Sequence, residues 1–310
     1  MKGAASATPV LDFERDWRAI VAAKLVEMGY DASPDEPTDQ LGIAYFNALR
    51  RRIEARPRVM HRADTFSCPP EHAEGFAALR GAVERGDDLT RFLSRRMRQR
   101  GYDDGLLNDW GIFHFHLGTR VEADGFVART PYVLFAVVRS EDFYMLACRL
   151  HGRGATEDPW SQQELLNIVH RNWPELIAQW RVPAEIVDVQ PVLTDADVAA
   201  FRGAGITALF KMADGAIYFP PGGGIATDRT SAAVVDQLHC VIATLRLLER
   251  EVRENIDVLA RTAERDGFQL GPEIRLRLTC DAKDRLGVID EGSGFRSRFV
   301  FNEPVSICDK

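Results

Sequence analysis

The sequence predicts an α+β protein in which N-terminal helices pack on a central antiparallel sheet, followed by a C-terminal α+β part with one long helix and a small β-meander. Three observations carry this expectation. Apolar residues recur at helical spacing through the first hundred residues, alternate in short runs between 110 and 151, and return to a long helical seam at 230–264 before alternating again. A Val/Pro-rich connection over 181–194 marks the expected division between residues 1–190, which carry the chemistry-bearing strand, and residues 191–310.

Residues 11–29 hold apolar groups on one helical stripe and stop at Gly29, which predicts the first helix. Asp31 to Pro37 is a loop. Thr38 can cap a second helix through Ile43, Phe46, Leu49 and Ile53 that ends before Pro57, giving a helical hairpin. Two further helices are expected at about 71–85 and 87–99, the second ending in a run of arginines where the helix dipole favours cations.

The period then changes. Trp110–Leu117, Pro131–Arg139 and Asp142–His151 are rich in aromatic and β-branched residues and read as an antiparallel meander, with Ser140-Glu-Asp142 as the tight connection. Ser161-x-x-Glu164 has the form of a capping box opening a helix through Leu165, Ile168 and Val169, on which His170 is read as structural. Asp195–Arg202 predicts a short helix, and Ile206–Met212 with Ala216–Phe219 a hairpin. Pro220-Pro-Gly-Gly-Gly-Ile225 is a loop, lacking the Lys-Ser/Thr of a phosphate loop and a complete GxGxxG. The 230–264 helix is expected to bury its seam within the chain, with a homodimer through that seam as the alternative. Ile274–Cys280, Arg285–Ile289 and Phe295–Phe301 form the terminal meander.

The chain carries a net charge of −7, and five scattered cysteines without a CxxC pair, which excludes a disulfide framework or a zinc finger. No apolar run is long enough to span a bilayer, and the first residues lack the apolar core of a signal peptide, so a cytoplasmic protein with no membrane partner is expected. The charge is uneven: residues 50–100 contain thirteen arginines against seven acidic residues. Within that window Arg91, Arg95, Arg96, Arg98 and Arg100 are candidates for binding an RNA backbone, since guanidinium groups offer forked donors to phosphate. The alternative is a solvated helix face.

Chemistry centres on Asp109-Trp-Gly-Ile-Phe-His-Phe-His-Leu-Gly118. On a strand, His114 and His116 share one face about 7 Å apart while Phe113, Phe115 and Leu117 take the other. His151 closes the third strand and reaches the same face only if the register allows it. The three imidazoles could be a polar strip on a half-exposed sheet. They could bind Zn or Fe and activate water, with His151, Asp109 or Glu141 as third ligand. They could also cleave RNA without a metal or other cofactor, as acid and base on either side of a phosphodiester.

The run Pro131–His151, which ends in Cys148-Arg-Leu-His151, resembles the final hairpin of RelE/YoeB-type ribonuclease toxins, whose last strand ends in Cys-Arg-x-His. Leu106-Leu-Asn-Asp-Trp110 resembles the approach to their first core strand. The likeness spans about residues 106–151. It implies a helices-then-antiparallel-sheet fold and cleavage of mRNA, typically at the ribosome, with His151 as general acid. The family's tyrosine after that histidine is Gly152 here, and its strand-start arginine falls near Tyr132, with Arg129 the closest substitute. Its carboxylate base falls among Asp103, Asp104 and Asp109. The expected function is thus a toxin or defence ribonuclease using His114, His116, His151, Asp109 and Arg129, with RNA and an inhibitor protein as partners. The alternatives are the metal-dependent hydrolase and a non-catalytic module that binds nucleic acid or protein.

Overall fold

The computed structural model describes residues 8–151, 159–183, 189–281 and 285–300. Gly152, Phe301, Cys308, the first seven residues and parts of the 181–194 connection and the 281–284 turn lie outside them. The fold is α+β. The chain forms two compact units, one from residues 1–49 with 236–310 and the other from residues 50–235, so the connection near residue 190 falls inside the second.

The first unit opens with β1 (Thr8–Val10), α1 (Phe13–Glu27) and α2 (Thr38–Arg50). Asp12 caps α1 by accepting from the Arg15 N–H at 2.9 Å. Thr38 is already the first helical residue of α2, and its hydroxyl donates to Glu14 at 2.6 Å instead of capping its own helix. The second helix ends at Arg50, several residues earlier than expected.

The second unit holds β2 (Val59–Arg62), α3 (Ala73–Arg85), α4 (Gly105–Trp110), β3 (Ile112–His116), β4 (Tyr132–Val138), β5 (Asp142–Leu150), α5 (Glu164–Asn172), α6 (Asp195–Gly203) and the hairpin β6 (Phe210–Lys211) with β7 (Ile217–Tyr218). Its main sheet has the order β2-β5-β4-β3, with β3, β4 and β5 forming the expected antiparallel meander. The sheet is nevertheless mixed. β2, a Val-Met-His-Arg run too short to show a period, adds parallel to β5. Phe115, Val133, Leu134, Phe135, Phe143 and Leu146 are fully buried, and α3 packs on β2 and α5 on β5.

Three local expectations for this unit are corrected. Residues 87–99 form two single 3₁₀ turns, 90–92 and 95–98, because Leu93 and Ser94 between them are extended and send Leu89, Phe92, Leu93 and Met97 into the core. Trp110 ends α4 instead of opening a strand: Asp104 caps that helix and Gly111, at φ 70°, stops it in a left-handed turn that suits glycine. The Ser161 capping box does not form. α5 starts one residue after Gln163, whose side-chain amide donates instead to the Leu193 carbonyl.

The rest of the first unit comes from the far end of the chain. The expected single helix is two, α7 (Ala232–Glu254) and α8 (Ile256–Arg265), interrupted at Asn255 with φ −110° and ψ 18°. The α7 seam, including Leu238, Val241, Leu245, Leu248 and Val252, is buried within the chain. Gly42 of α2 gives Leu238 and Trp17 the room a methyl group would take. β8 (Glu273–Cys280), β9 (Leu286–Asp290) and β10 (Arg296–Arg298) make the terminal meander, to which β1 adds parallel to β8. α1 packs on β8, where the buried Asp16 accepts the Leu278 N–H at 2.8 Å. Among the described residues no helix is long and apolar enough to cross a membrane.

Candidate functional site

The strand register brings the three histidines together. His114 pairs with Phe135 and His116 with Val133, while those two residues pair with Ala147 and Arg149 of β5. Directly paired residues point to the same face, so Ala147 and Arg149, which follow the register shift in β5, share the face of the two β3 histidines. The His151 N–H continues the ladder to the Pro131 carbonyl at 2.8 Å, which keeps His151 on that face. Ring centroids lie 6.1 Å apart for His114 and His116 and 5.5 Å apart for His116 and His151. Phe113 and Phe115 back the strand from the other side, with Phe115 against Phe143 at 5.2 Å.

The histidines line a cavity of about 550 Å³ within the second unit. Trp160 forms an aromatic wall, its ring 4.7 Å from His114 and 5.5 Å from His151. Tyr102, Asp103 and Asp104 line another side, and Arg95, Arg96, Arg129 and Arg202 supply cations. Two guanidinium groups approach the Tyr102 ring, Arg51 at 5.7 Å and Arg96 at 5.8 Å from its centre, and Arg51 also donates to the Tyr102 carbonyl.

The three imidazoles differ in their inner surroundings. Nε2 of His151 donates to the Thr130 carbonyl at 3.0 Å, which leaves Nδ1 with its lone pair in the neutral ring. Thr130 is itself fixed, its hydroxyl accepting from the Leu117 N–H at 3.1 Å and donating to the Tyr132 carbonyl at 2.6 Å. Nδ1 of His114 and Nδ1 of His116 are buried without a hydrogen bond, so Nε2 is the nitrogen each turns to the cavity. Nδ1 of His114 stands 3.8 Å from the Asp104 carboxylate.

Burial lowers the pKa of all three histidines. It is the largest cause for each, Arg129 reinforces it at all three, and neighbouring imidazoles add to it at His116 and His151, with His116 pushed down to about 3. The carboxylate of Asp104 opposes the shift at His114, and the Thr130 hydrogen bond opposes it at His151. Burial holds Tyr102 well above the usual range for a phenol, with Asp104 reinforcing the effect. The lowered values favour neutral imidazoles at neutral pH, beside the guanidinium groups that line the cavity.

The other candidates separate clearly. Arg129 is exposed and reaches the cavity. Asp109 does not line it: its carboxylate accepts from Nε of Arg202 at 2.7 Å, and the Arg202 guanidinium lies 4.1 Å from the centre of the Trp110 ring. Arg95 lines the cavity but is bound to Asp124 and Glu122. Arg98 donates to the Asp124 carbonyl at 2.6 Å, Arg91 lies over Phe92, and neither these two nor Arg100 lines the cavity. Of that basic run, Arg96 is exposed at the cavity. His170 stands outside it, between the Tyr218 hydroxyl and the Asp214 carboxylate at 3.0 Å each.

Sequence reasoning missed Tyr102, Trp160 and Arg202 as members of the site. Arg202 comes from α6, far along the chain, and no local pattern announces it. Asp104 could be found from its N-cap position, since an aspartate ahead of Leu106-Leu107 is a helix-start signal. Among the described residues no group of three or more His, Cys, Asp or Glu side chains is arranged to hold a metal ion. No protein family, curated protein or solved structure matches the chain.

Proposed function

We propose that this protein is a ribonuclease that cleaves RNA without a metal ion, at the cavity formed by His114, His116 and His151, and that it acts as a toxin or defence effector. One observation carries the reading: three imidazoles present nitrogens of different character to one cavity flanked by Arg96 and Arg129. Cleavage of a phosphodiester needs a base for the 2′-hydroxyl, an acid for the departing 5′-oxygen, and donors for the charge that grows on phosphorus.

The ring with a fixed basic nitrogen is His151, whose Nδ1 takes the 2′-hydroxyl proton as the 2′-oxygen bonds to phosphorus. The bond from phosphorus to the 5′-oxygen then breaks, and a β3 histidine delivers a proton from Nε2 to that oxygen. Arg129 offers its guanidinium to the non-bridging oxygens. This assignment departs from the toxin resemblance, in which His151 is the acid. The bound phosphodiester brings the negative charge that allows a buried imidazole to hold a proton near neutrality.

The test is cleavage of a labelled single-stranded RNA by wild type, His151→Ala and the double variant His114→Ala/His116→Ala, with and without a chelator. The expected result is cleavage that survives chelation and falls at least about a hundredfold in each variant. Cleavage lost on chelation and restored by Zn or Fe would favour the metal-dependent reading. Variants as active as wild type would remove the histidines from the chemistry.

A further inference from the structure

The two β3 histidines are equivalent in sequence and unequal in their surroundings. Around His116 the neighbouring ionisable groups are His114, His151, Arg129 and Arg95, none of which favours a protonated ring. His114 faces Arg129 and the other two imidazoles as well, but one carboxylate also approaches it, Asp104 at 3.8 Å from Nδ1. Asp104 is anchored independently of the histidine. Its Oδ1 accepts the Leu107 N–H at 3.1 Å as the N-cap of α4, while Oδ2 turns to His114. Trp160 lies against the ring at 4.7 Å and limits how it can turn.

We infer that Asp104 is a positioning residue for His114: it holds the ring with Nδ1–H inward and Nε2 toward the cavity, and makes His114, not His116, the histidine that holds a proton for delivery. The physical basis is short-range. An opposite charge within about 4–6 Å favours the charged form of a titrating group, and the partner of one ring nitrogen decides which nitrogen carries the proton. At 3.8 Å the pair is beyond hydrogen-bond length, so the attraction is electrostatic. The role of His114 as the acid for the 5′-oxygen rests on the ribonuclease reading, whereas the pairing with Asp104 does not.

The experiment is ¹⁵N-histidine NMR on the full chain, titrated with and without inorganic phosphate, comparing wild type with Asp104→Asn and Asp104→Glu. Asparagine caps a helix as well as aspartate, so Asp104→Asn removes the charge and keeps an acceptor for the Leu107 N–H. Asp104→Ser is a second capping variant without a carboxylate. In wild type the neutral His114 ring is expected to carry its proton on Nδ1. In Asp104→Asn and Asp104→Ser the His114 midpoint should fall by about one pH unit or more, with His116 unmoved, and Asp104→Glu should restore it in part. In RNA cleavage, Asp104→Asn should lower kcat about ten- to a hundredfold with KM unchanged. Its alkaline limb should shift to lower pH.

An unchanged His114 midpoint and tautomer in Asp104→Asn would overturn the inference, as would a shift at His116 instead. A wild type that titrates as described and cleaves no RNA would overturn the ribonuclease reading and still support the Asp104–His114 pair.

Discussion

Asp109 and Arg202 form a buried ion pair, 2.7 Å from Oδ2 to Nε, with only 4% and 11% of their side chains exposed. The guanidinium also lies over Trp110 and donates to the Trp160 carbonyl, so a single arginine links α4, α6 and the aromatic wall of the cavity. Burial raises the Asp109 carboxyl above its ordinary value, even against the charge of Arg202 beside it. The pair is therefore structural support for the site.

Asp109→Ala should be strongly destabilising, because removing one partner leaves an uncompensated buried charge. The expected loss is about 3–5 kcal/mol in urea unfolding, and the cavity should loosen with it. The double variant Asp109→Leu/Arg202→Met should recover much of that loss, since a buried pair replaced by apolar groups costs less than a broken one. A double variant no more stable than Asp109→Ala would contradict this account.

Stability should fall on mild acidification because of the cavity histidines. His116 has a folded pKa pushed down to about 3 from an unfolded value near 6.5. Between those values the unfolded state binds more protons. The contribution of His116 is thus fully present above pH 6.5 and is lost as the pH falls toward 3. From pH 6.5 to 5 this one group accounts for about 2 kcal/mol, and His114 and His151, shifted the same way, add to the loss. Asp109 works in the opposite sense. Its raised folded pKa means that the native state binds the extra proton once the pH falls below that value, offsetting part of the loss at the acid end. Urea midpoints at pH 7.5 and 5 should differ markedly in wild type and less in His116→Gln. An equal drop in both would show that the acid sensitivity lies elsewhere.

The strand period from Ile112 to His116 was enough to place two imidazoles on one face with an apolar back. The position of His151 was not legible, because it depends on pairings that run through β4 and on the register shift between Phe135 and Ala136. Proximity in sequence misled at Asp109. Only Gly111 separates α4 from β3, but the left-handed turn there sends the carboxylate toward Arg202 and away from the histidines. Counting arginines likewise located a basic window without showing that Arg95 is paired with Glu122 and Asp124. Helical spacing over 230–264 revealed the seam but not the interruption at Asn255, where the apolar pattern continues across the break.

Those ion pairs make the arginines unequal. Arg129 is exposed at the cavity with no ion-pair partner among the described residues, whereas Arg98 is tied to the Asp124 carbonyl and does not line the cavity. If the site acts on RNA, Arg129→Ala should lower kcat/KM by about ten- to a hundredfold, in line with the loss of one charged donor to a phosphorane. Arg98→Ala should change it by less than about threefold. Cleavage rates over a range of salt concentrations would measure this, and equal losses in the two variants would indicate a diffuse basic surface.

Two glycines of α3 should respond in opposite directions to the same change. Alanine is normally the better helix former by about 1 kcal/mol, so Gly→Ala in a helix stabilises where space allows. At Gly81 the nearest atoms are the end of the flexible Arg85 side chain, which can move aside, and Gly81→Ala should raise the urea midpoint. At Gly75 a methyl group would run into the Leu117 carbonyl, part of the backbone that follows the histidine strand. Relieving that clash requires α3 to move away from the end of β3, at a cost of about 1–3 kcal/mol for overpacking, against which the helical gain is smaller or at best comparable. Gly75→Ala should therefore lower the midpoint. It should also disturb the His116 resonance, because the displaced backbone leads directly into that residue, whereas Gly81→Ala should leave His116 unchanged. A stabilised Gly75→Ala would mean that the helix and the strand end are not packed as closely as described.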